Sequence, residues 1–254
     1  MFDSQADILS FGMGEKSITE IAERLRMGED ICNIRDVRGT CYICDVTETP
    51  LTGAECPSYE NVIKSKKEYA VSCRIQQDEQ DHIRGKIIKQ RHGNKMLVQN
   101  PPMPPLTTAE LDEIYALSFE RNYHPSYEEE GGVPGIEEVK FSITHNRGCF
   151  GGCNFCSIAF HQGRYVTCRS KESVLREAEL LTKMPDFKGY IHDVGGPTAN
   201  FRQPSCEKQK TLGLCKGKHC LAPKVLSQIG LDHLGEELFG LDEGNLHVAV
   251  GVAL

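Results

Sequence analysis

No stretch of about 18 consecutive apolar residues occurs in this 254-residue chain, so no segment is apolar enough for a membrane-spanning helix. No long basic run occurs either, and the net charge is −7, which argues against nucleic acid as a main partner. The opening Met1-Phe2-Asp3-Ser4-Gln5-Ala6-Asp7 lacks the basic start and apolar core of a secretory signal. Internal repeats and low-complexity segments are also absent. What remains, 39% hydrophobic and 26% charged, is the composition of a soluble globular protein. Its length allows one large domain or two ordinary ones. Cysteine, by contrast, is plentiful, with twelve residues. Without a secretory signal these read as reduced thiols and metal ligands rather than disulfides, and a cytoplasmic location is expected.

Local patterns predict the elements. Ile8-Leu9-Ser10-Phe11-Gly12 reads as a short buried strand, and Ser17-Ile18-Thr19-Glu20 has capping-box spacing ahead of an apolar face of Ile18, Ile21, Ala22 and Leu25. Cys41-Tyr42-Ile43-Cys44 is strand-like. No partner ligands lie at good spacing, so its cysteines read as buried or half-buried thiols rather than a redox pair or half a zinc site. Cys32, Cys56 and Cys73 are read the same way. The charged stretch 59–92 is expected to be helical at first, with Val62, Tyr69 and Cys73 on one side, and Met96-Leu97-Val98-Gln99 to be a strand. The run Asn100-Pro101-Pro102-Met103-Pro104-Pro105 cannot continue a helix or central strand and reads as a linker. Thr107-Thr108-Ala109-Glu110 then caps a helix carrying Leu111, Ile114, Tyr115 and Leu117. Alternating Val139, Phe141 and Ile143 predict a strand over 138–144. Ser170 caps a helix through Val174, Leu175, Ala178 and Leu181, and a second strand runs over 189–194, completing a βαβ unit.

The chemistry concentrates in Arg147-Gly148-Cys149-Phe150-Gly151-Gly152-Cys153-Asn154-Phe155-Cys156. A cubane iron-sulfur cluster has four irons, usually ligated by cysteine thiolates. Three thiolates spaced Cys-x3-Cys-x2-Cys hold three irons and leave the fourth open to a small molecule. Gly148, Gly151 and Gly152 let the backbone wrap closely around such a group. Structural zinc is the competing reading, since soft thiolates suit both, and Cys168 or a later cysteine could supply a fourth ligand. Cys206, Cys215 and Cys220, set among Lys208, Lys210, Lys216 and Lys218, could hold a second metal centre, with His219 as a further zinc ligand. A metal-free loop is the alternative there.

The string from Cys149 to Arg164, together with His124-Pro125-Ser126-Tyr127 and Gly195-Gly196-Pro197-Thr198-Ala199-Asn200, resembles the YgiQ-type radical S-adenosylmethionine (radical SAM) proteins. That resemblance implies a [4Fe-4S] cluster on Cys149, Cys153 and Cys156, with S-adenosylmethionine (SAM) on the open iron. It implies SAM contacts from Phe155, near the adenine, and from Gly195 and Gly196, near the methionyl amino group. Pro197 stands where an acidic residue is usual. The reaction implied is reductive cleavage of SAM to a 5′-deoxyadenosyl radical that acts on an unknown substrate, fed by an electron donor such as flavodoxin or ferredoxin.

The fold implied is α/β, a partial radical SAM (βα) barrel preceded by the remnant of a Rossmann-like N-terminal domain. The expected divisions are 1–99 for the remnant, 100–136 for linker and helix, 137–224 for the first part of the radical SAM core and 225–254 for a divergent tail. The stretch after His145 is short for a full barrel, so the chain is expected to be a fragment, and a zinc- or iron-sulfur-binding module without activity stays open. His161, Gln162, Arg164 and Asn200 are expected at the barrel mouth. Arg164 either pairs with a SAM or substrate carboxylate or makes an ordinary surface salt bridge. His124 either meets the substrate or cofactor or is structural.

Overall fold

A computed structural model describes residues 1–151, 153, 155–196 and 207–215. In chain order its elements are β1 (Leu9–Ser10), α1 (Glu15–Arg26), β2 (Thr40–Asp45), β3 (Ala54–Cys56), α2 (Tyr59–Val62), α3 (Lys66–Glu79), β4 (Ile88–His92), β5 (Lys95–Gln99), α4 (Thr108–Tyr115), α5 (Ile136–Val139), β6 (Ser142–Thr144), β7 (Asn146–Arg147), α6 (Ile158–Gln162), β8 (Thr167–Cys168), α7 (Lys171–Thr182), β9 (Asp193–Gly195) and α8 (Lys208–Leu212). They divide into two compact units. The first takes Met1–Pro105, Cys149–Tyr165 and residues 207–215, and the second takes Leu106–Gly148 and residues 166–196. No described helix is long and apolar enough to cross a membrane.

The first unit is built on a five-stranded sheet of order β1-β2-β5-β4-β3. Only β3 and β4 pair in parallel, and the other three pairings are antiparallel. Residues 1–99, expected as the remnant of a Rossmann-like domain, form a mixed sheet with one parallel pair. β4 and β5 are joined by the two-residue turn Gly93-Asn94, with Gly93 at φ +57°, the left-handed conformation such hairpins require. Tyr42, Cys44, Met96 and Val98 pack together on the sheet, and Ile21, Ile34 and Val37 form a second cluster. The buried Asn100 amide closes the turn before β2, donating to the carbonyls of Arg35 (2.9 Å) and Val37 (3.0 Å).

Several local expectations shift. β1 is an exposed edge strand, not a buried one. α1 starts at Glu15, before Ser17, so Ser17 is no cap. Its hydroxyl instead donates to Gly14 O, and it shares a hydrogen bond with Ser10 Oγ (2.7 Å). Of the expected face only Ile21 is buried, while Ile18, Ala22 and Leu25 are exposed. α3 buries Ser72 and Gln77 and leaves Tyr69 in solvent. β4 passes unnoticed in the charged stretch because Lys89, itself buried, spends its ammonium on Pro50 O (3.1 Å).

In the second unit β6 and β9 pair in parallel, Ile143 opposite Val194, with α7 between them in sequence and packed on β6. This is the predicted βαβ unit. Phe141, Ile143, Val174, Leu181, Ile191 and Val194 form its core. Ser170 caps α7 as expected, accepting from Ser173 N–H (3.0 Å). The strand itself is shorter than the alternation suggests, because 136–139 is a helical turn that leaves Val139 exposed. Arg169 is buried. It donates to Thr144 O and Ser173, pairs with Glu177, and lies over the Tyr115 ring with its guanidinium carbon 4.2 Å from the centroid. Among the described residues, one parallel strand pair represents the expected barrel.

Candidate functional site

The three motif cysteines lie on one loop of the first unit. Gly148 enters it at φ +91°, a conformation a side chain would strain. The loop is closed by Cys149 N–H donating to Gly163 O (3.1 Å), and Cys156 N–H donates back to Cys153 O (3.3 Å). α6 follows, anchored by Gln80 Nε2 donating to Phe160 O (3.2 Å), and Gly163 ends it at φ +85°. None of Cys149, Cys153 and Cys156 is in a disulfide. Cys153 is exposed, and the other two are half-buried.

Gly151 sits between two of the sulfurs. Its N–H donates to Cys149 Sγ (3.3 Å), and a Cβ at this position would lie 3.2 Å from Cys149 Sγ and 4.0 Å from Cys153 Sγ. A side chain here would fill the space between those thiols. Thiolate sulfur is a usual ligand of iron and zinc. Donor chemistry and cradle therefore fit a thiolate-bound metal group. Among the described residues, no three His, Cys, Asp or Glu side chains are gathered closely enough to hold a metal ion. Gly152 and Asn154 lie outside the described residues. Phe155 is 92% exposed, so its ring is open to a ligand face.

The other expected site residues separate by place. Gly195 and Gly196 are in the second unit, where Gly195 O accepts from His145 N–H (2.9 Å). Gly196 lies against the Asn146 side chain, which sequence reasoning missed. A buried carboxamide in the segment just before the cysteine loop was the available signal. Arg164 is buried in the first unit, not on its surface, and donates to Cys215 O (3.5 Å). His161 is exposed and Gln162 half-buried. His124 has a structural role, its Nδ1 accepting from Ser126 N–H (3.2 Å) to cap the turn Pro125–Glu130. Cys215 is exposed, whereas Cys206, Cys220, His219, Pro197 and Asn200 lie outside the described residues.

Burial distinguishes the remaining thiols. It pushes Cys41 up to about 12 and raises Cys44 and Cys56 in the same direction. A cavity of about 420 Å³ in the first unit is lined by Gln77, Arg84, Arg164 and Cys215 among others. Asp81 stands at its wall, 3% exposed. Desolvation pushes its carboxyl up, but N–H donors from Ile83, Arg84 and Leu214 and the Arg84 guanidinium outweigh that and hold it below its ordinary value.

Residues 1–142 match the family described as Radical SAM N-terminal. A UPF0313 protein of Clostridium botulinum (strain ATCC 19397 / Type A) is 53% identical over 231 residues, which cover 91% of this chain and 36% of that protein. A UPF0313 protein of Clostridium perfringens (strain ATCC 13124) is 51% identical over 234 residues, covering 92% of this chain and 35% of its own length. The chain thus spans a little over a third of the length of these curated relatives. No solved structure matches it significantly.

Proposed function

The chain belongs to the Radical SAM N-terminal family, and from that premise we propose that Cys149, Cys153 and Cys156 hold a [4Fe-4S] cluster with SAM on its open iron. The observation that carries this reading is Gly151, whose N–H meets Cys149 sulfur and whose missing side chain leaves room between two thiols. When bound, such a cluster supplies the electron that splits SAM into methionine and a 5′-deoxyadenosyl radical able to take hydrogen from a substrate. The chain's own part is to hold and orient. Cys149, Cys153 and Cys156 would hold three of the irons, and the Gly151 N–H, which donates to Cys149 Sγ, would offset negative charge there. Cys156 would supply the third sulfur, since the free energy of ligation favours bringing it to the metal.

Phe155 offers an exposed aromatic face for adenine, and Gly195 and Gly196 offer close backbone approach for the methionyl end. A small one-electron donor such as flavodoxin or ferredoxin completes the scheme, with the substrate and the reaction type undefined. The test is anaerobic reconstitution with iron and sulfide, followed by EPR of the reduced protein. A cubane signal that changes on adding SAM and is lost in Cys153→Ala is expected. Colourless protein holding zinc on the same thiols would overturn the reading.

A further inference from the structure

The cavity of about 420 Å³ in the first unit lies between the end of α3, the turn that follows it, Arg164 and the segment Leu214-Cys215. That volume is within the range of pockets for small organic ligands. Its walls are tied together by the chain itself. Gly85 is required in the turn, since a Cβ there would overlap Asp81 O and stand 2.5 Å from Glu79 O. Asp81 accepts from Leu214 N–H (2.9 Å), which fastens the segment carrying Cys215 to that turn.

Charge on these walls is unbalanced. The lining carries four cations, Arg74, Arg84, Lys86 and Arg164, and three carboxylates, Asp78, Glu79 and Asp81. Each carboxylate already accepts from the wall. Asp78 takes Arg74 Nε (2.9 Å), Glu79 takes Lys86 N–H (2.7 Å), and Asp81 takes Arg84 Nη2 (2.9 Å) besides its backbone donors. A cationic ligand would therefore meet acids that are engaged and an excess of positive charge. Arg164 is the buried member of the four, 5% exposed. Its guanidinium has five N–H donors, one of them toward Cys215 O (3.5 Å).

Gln77 gives an independent sign. It lines the same cavity and is 9% exposed, and its Nε2 has no hydrogen-bond partner among the described residues. An amide donor kept from water without an acceptor is costly, and an apolar residue of the same shape would cost less. A buried positive charge and an orphan donor on one cavity are answered together by oxygen that bears negative charge. Water or a neutral carbonyl answers the donor but not the charge. We propose that this cavity binds a small organic molecule through an oxyanion head group, a carboxylate or a phosphate, held by Arg164 and Gln77. None of Cys149, Cys153 and Cys156 lines the cavity, so the site does not depend on the proposed cluster.

The experiment is isothermal titration calorimetry of the metal-free full chain, in a buffer without phosphate or carboxylate, with succinate and glycerol phosphate as probes. Saturable one-to-one binding of at least one probe is expected, with a Kd of about 1 mM or tighter. The tighter of the two tells whether the head group is carboxylate or phosphate. Gln77→Met removes the orphan donor at nearly constant volume. It is expected to melt at or above the wild-type temperature, yet to bind the probe at least about tenfold more weakly. Arg164→Lys keeps the charge but loses the planar fork, and a loss at least as large is expected.

No saturable binding of either probe at about 10 mM overturns the proposal. Wild-type affinity in either folded variant also overturns it, because the oxyanion is then held elsewhere. Displacement of the bound probe by SAM overturns it as well, since the cavity would then belong to the SAM site. If Arg164→Lys fails to fold, Gln77→Met decides alone.

Discussion

Access to water separates the thiols of this chain into two chemical kinds. Cys41 is buried on β2 and pushed up to about 12, so it is protonated at pH 8. Cys153 is exposed on a loop. Brief iodoacetamide treatment of the metal-free protein at pH 8, mapped by mass spectrometry, is expected to label Cys153 well before Cys41, and equal rates would contradict the buried strand. Asp81 makes a second residue-scale case. Its carboxyl is held below its ordinary value, so its contribution to stability is present above the unfolded value near 4 and is lost as pH falls through the folded one. Asp81→Asn is expected to lower the urea stability at pH 7 by about 1.5–3 kcal/mol, the range for hydrogen bonds to a charged group. The gap to wild type should narrow steadily as pH is lowered below about 4. Gly213, at φ +74°, is forced by the same carboxylate, since a Cβ there would lie 2.4 Å from Asp81 Oδ2.

At the scale of elements, the same local signal succeeds or fails according to what precedes it. Thr107 forms a complete capping box, accepting from Glu110 N–H (3.3 Å) while Glu110 Oε2 accepts from Thr107 N–H (2.7 Å). Thr107→Ala is expected to cost about 1 kcal/mol, read as a lowered melting temperature, and no change would mean the box contributes nothing. Ser17 has the same spacing to Glu20 but lies inside α1, because the helix already starts at Glu15 and the Ser17 hydroxyl is used by Gly14 and Ser10. The βαβ unit was legible from the apolar spacing of Val174 and Leu181 and from the Ser170 cap, as both faces of its core are simple hydrocarbon. Alternation over 138–144 misled, because Val139 belongs to a helical turn and only Phe141 and Ile143 reach the core. β4 was illegible because a lysine and an arginine hide its period of two.

At the scale of the whole molecule, charge and length are the governing quantities. A net charge of −7 and a sequence pI near 5.7 oppose binding to polyanions. The chain is therefore expected to pass through a heparin column at pH 7.5 and low salt, and retention there would reveal a basic patch that the total conceals. Two compact units, each with its own apolar clusters, divide the described chain, and the glycine pair and the cysteine loop fall in different ones. Relatives about two and a half times as long share half of its residues, so the activity of the whole protein is a property to be tested on the longer chain as well.

By itself the sequence determined the family and supplied the three thiols proposed as ligands. Thiol spacing, glycine content and the string through Arg164 are local quantities that need no fold to be read, and residues 1–142 match the family independently of that loop. It also determined the caps of α4 and α7 and the strand of Cys41 and Cys44, because those depend on neighbours a few positions away. Only the tertiary structure decided that residues 1–99 make a mostly antiparallel sheet, that Arg164 is buried, and that Asn146 lies on Gly196 fifty residues along the chain. Strand direction, burial of a charge and contact between distant residues are set by which surfaces meet, and no local pattern carries that information.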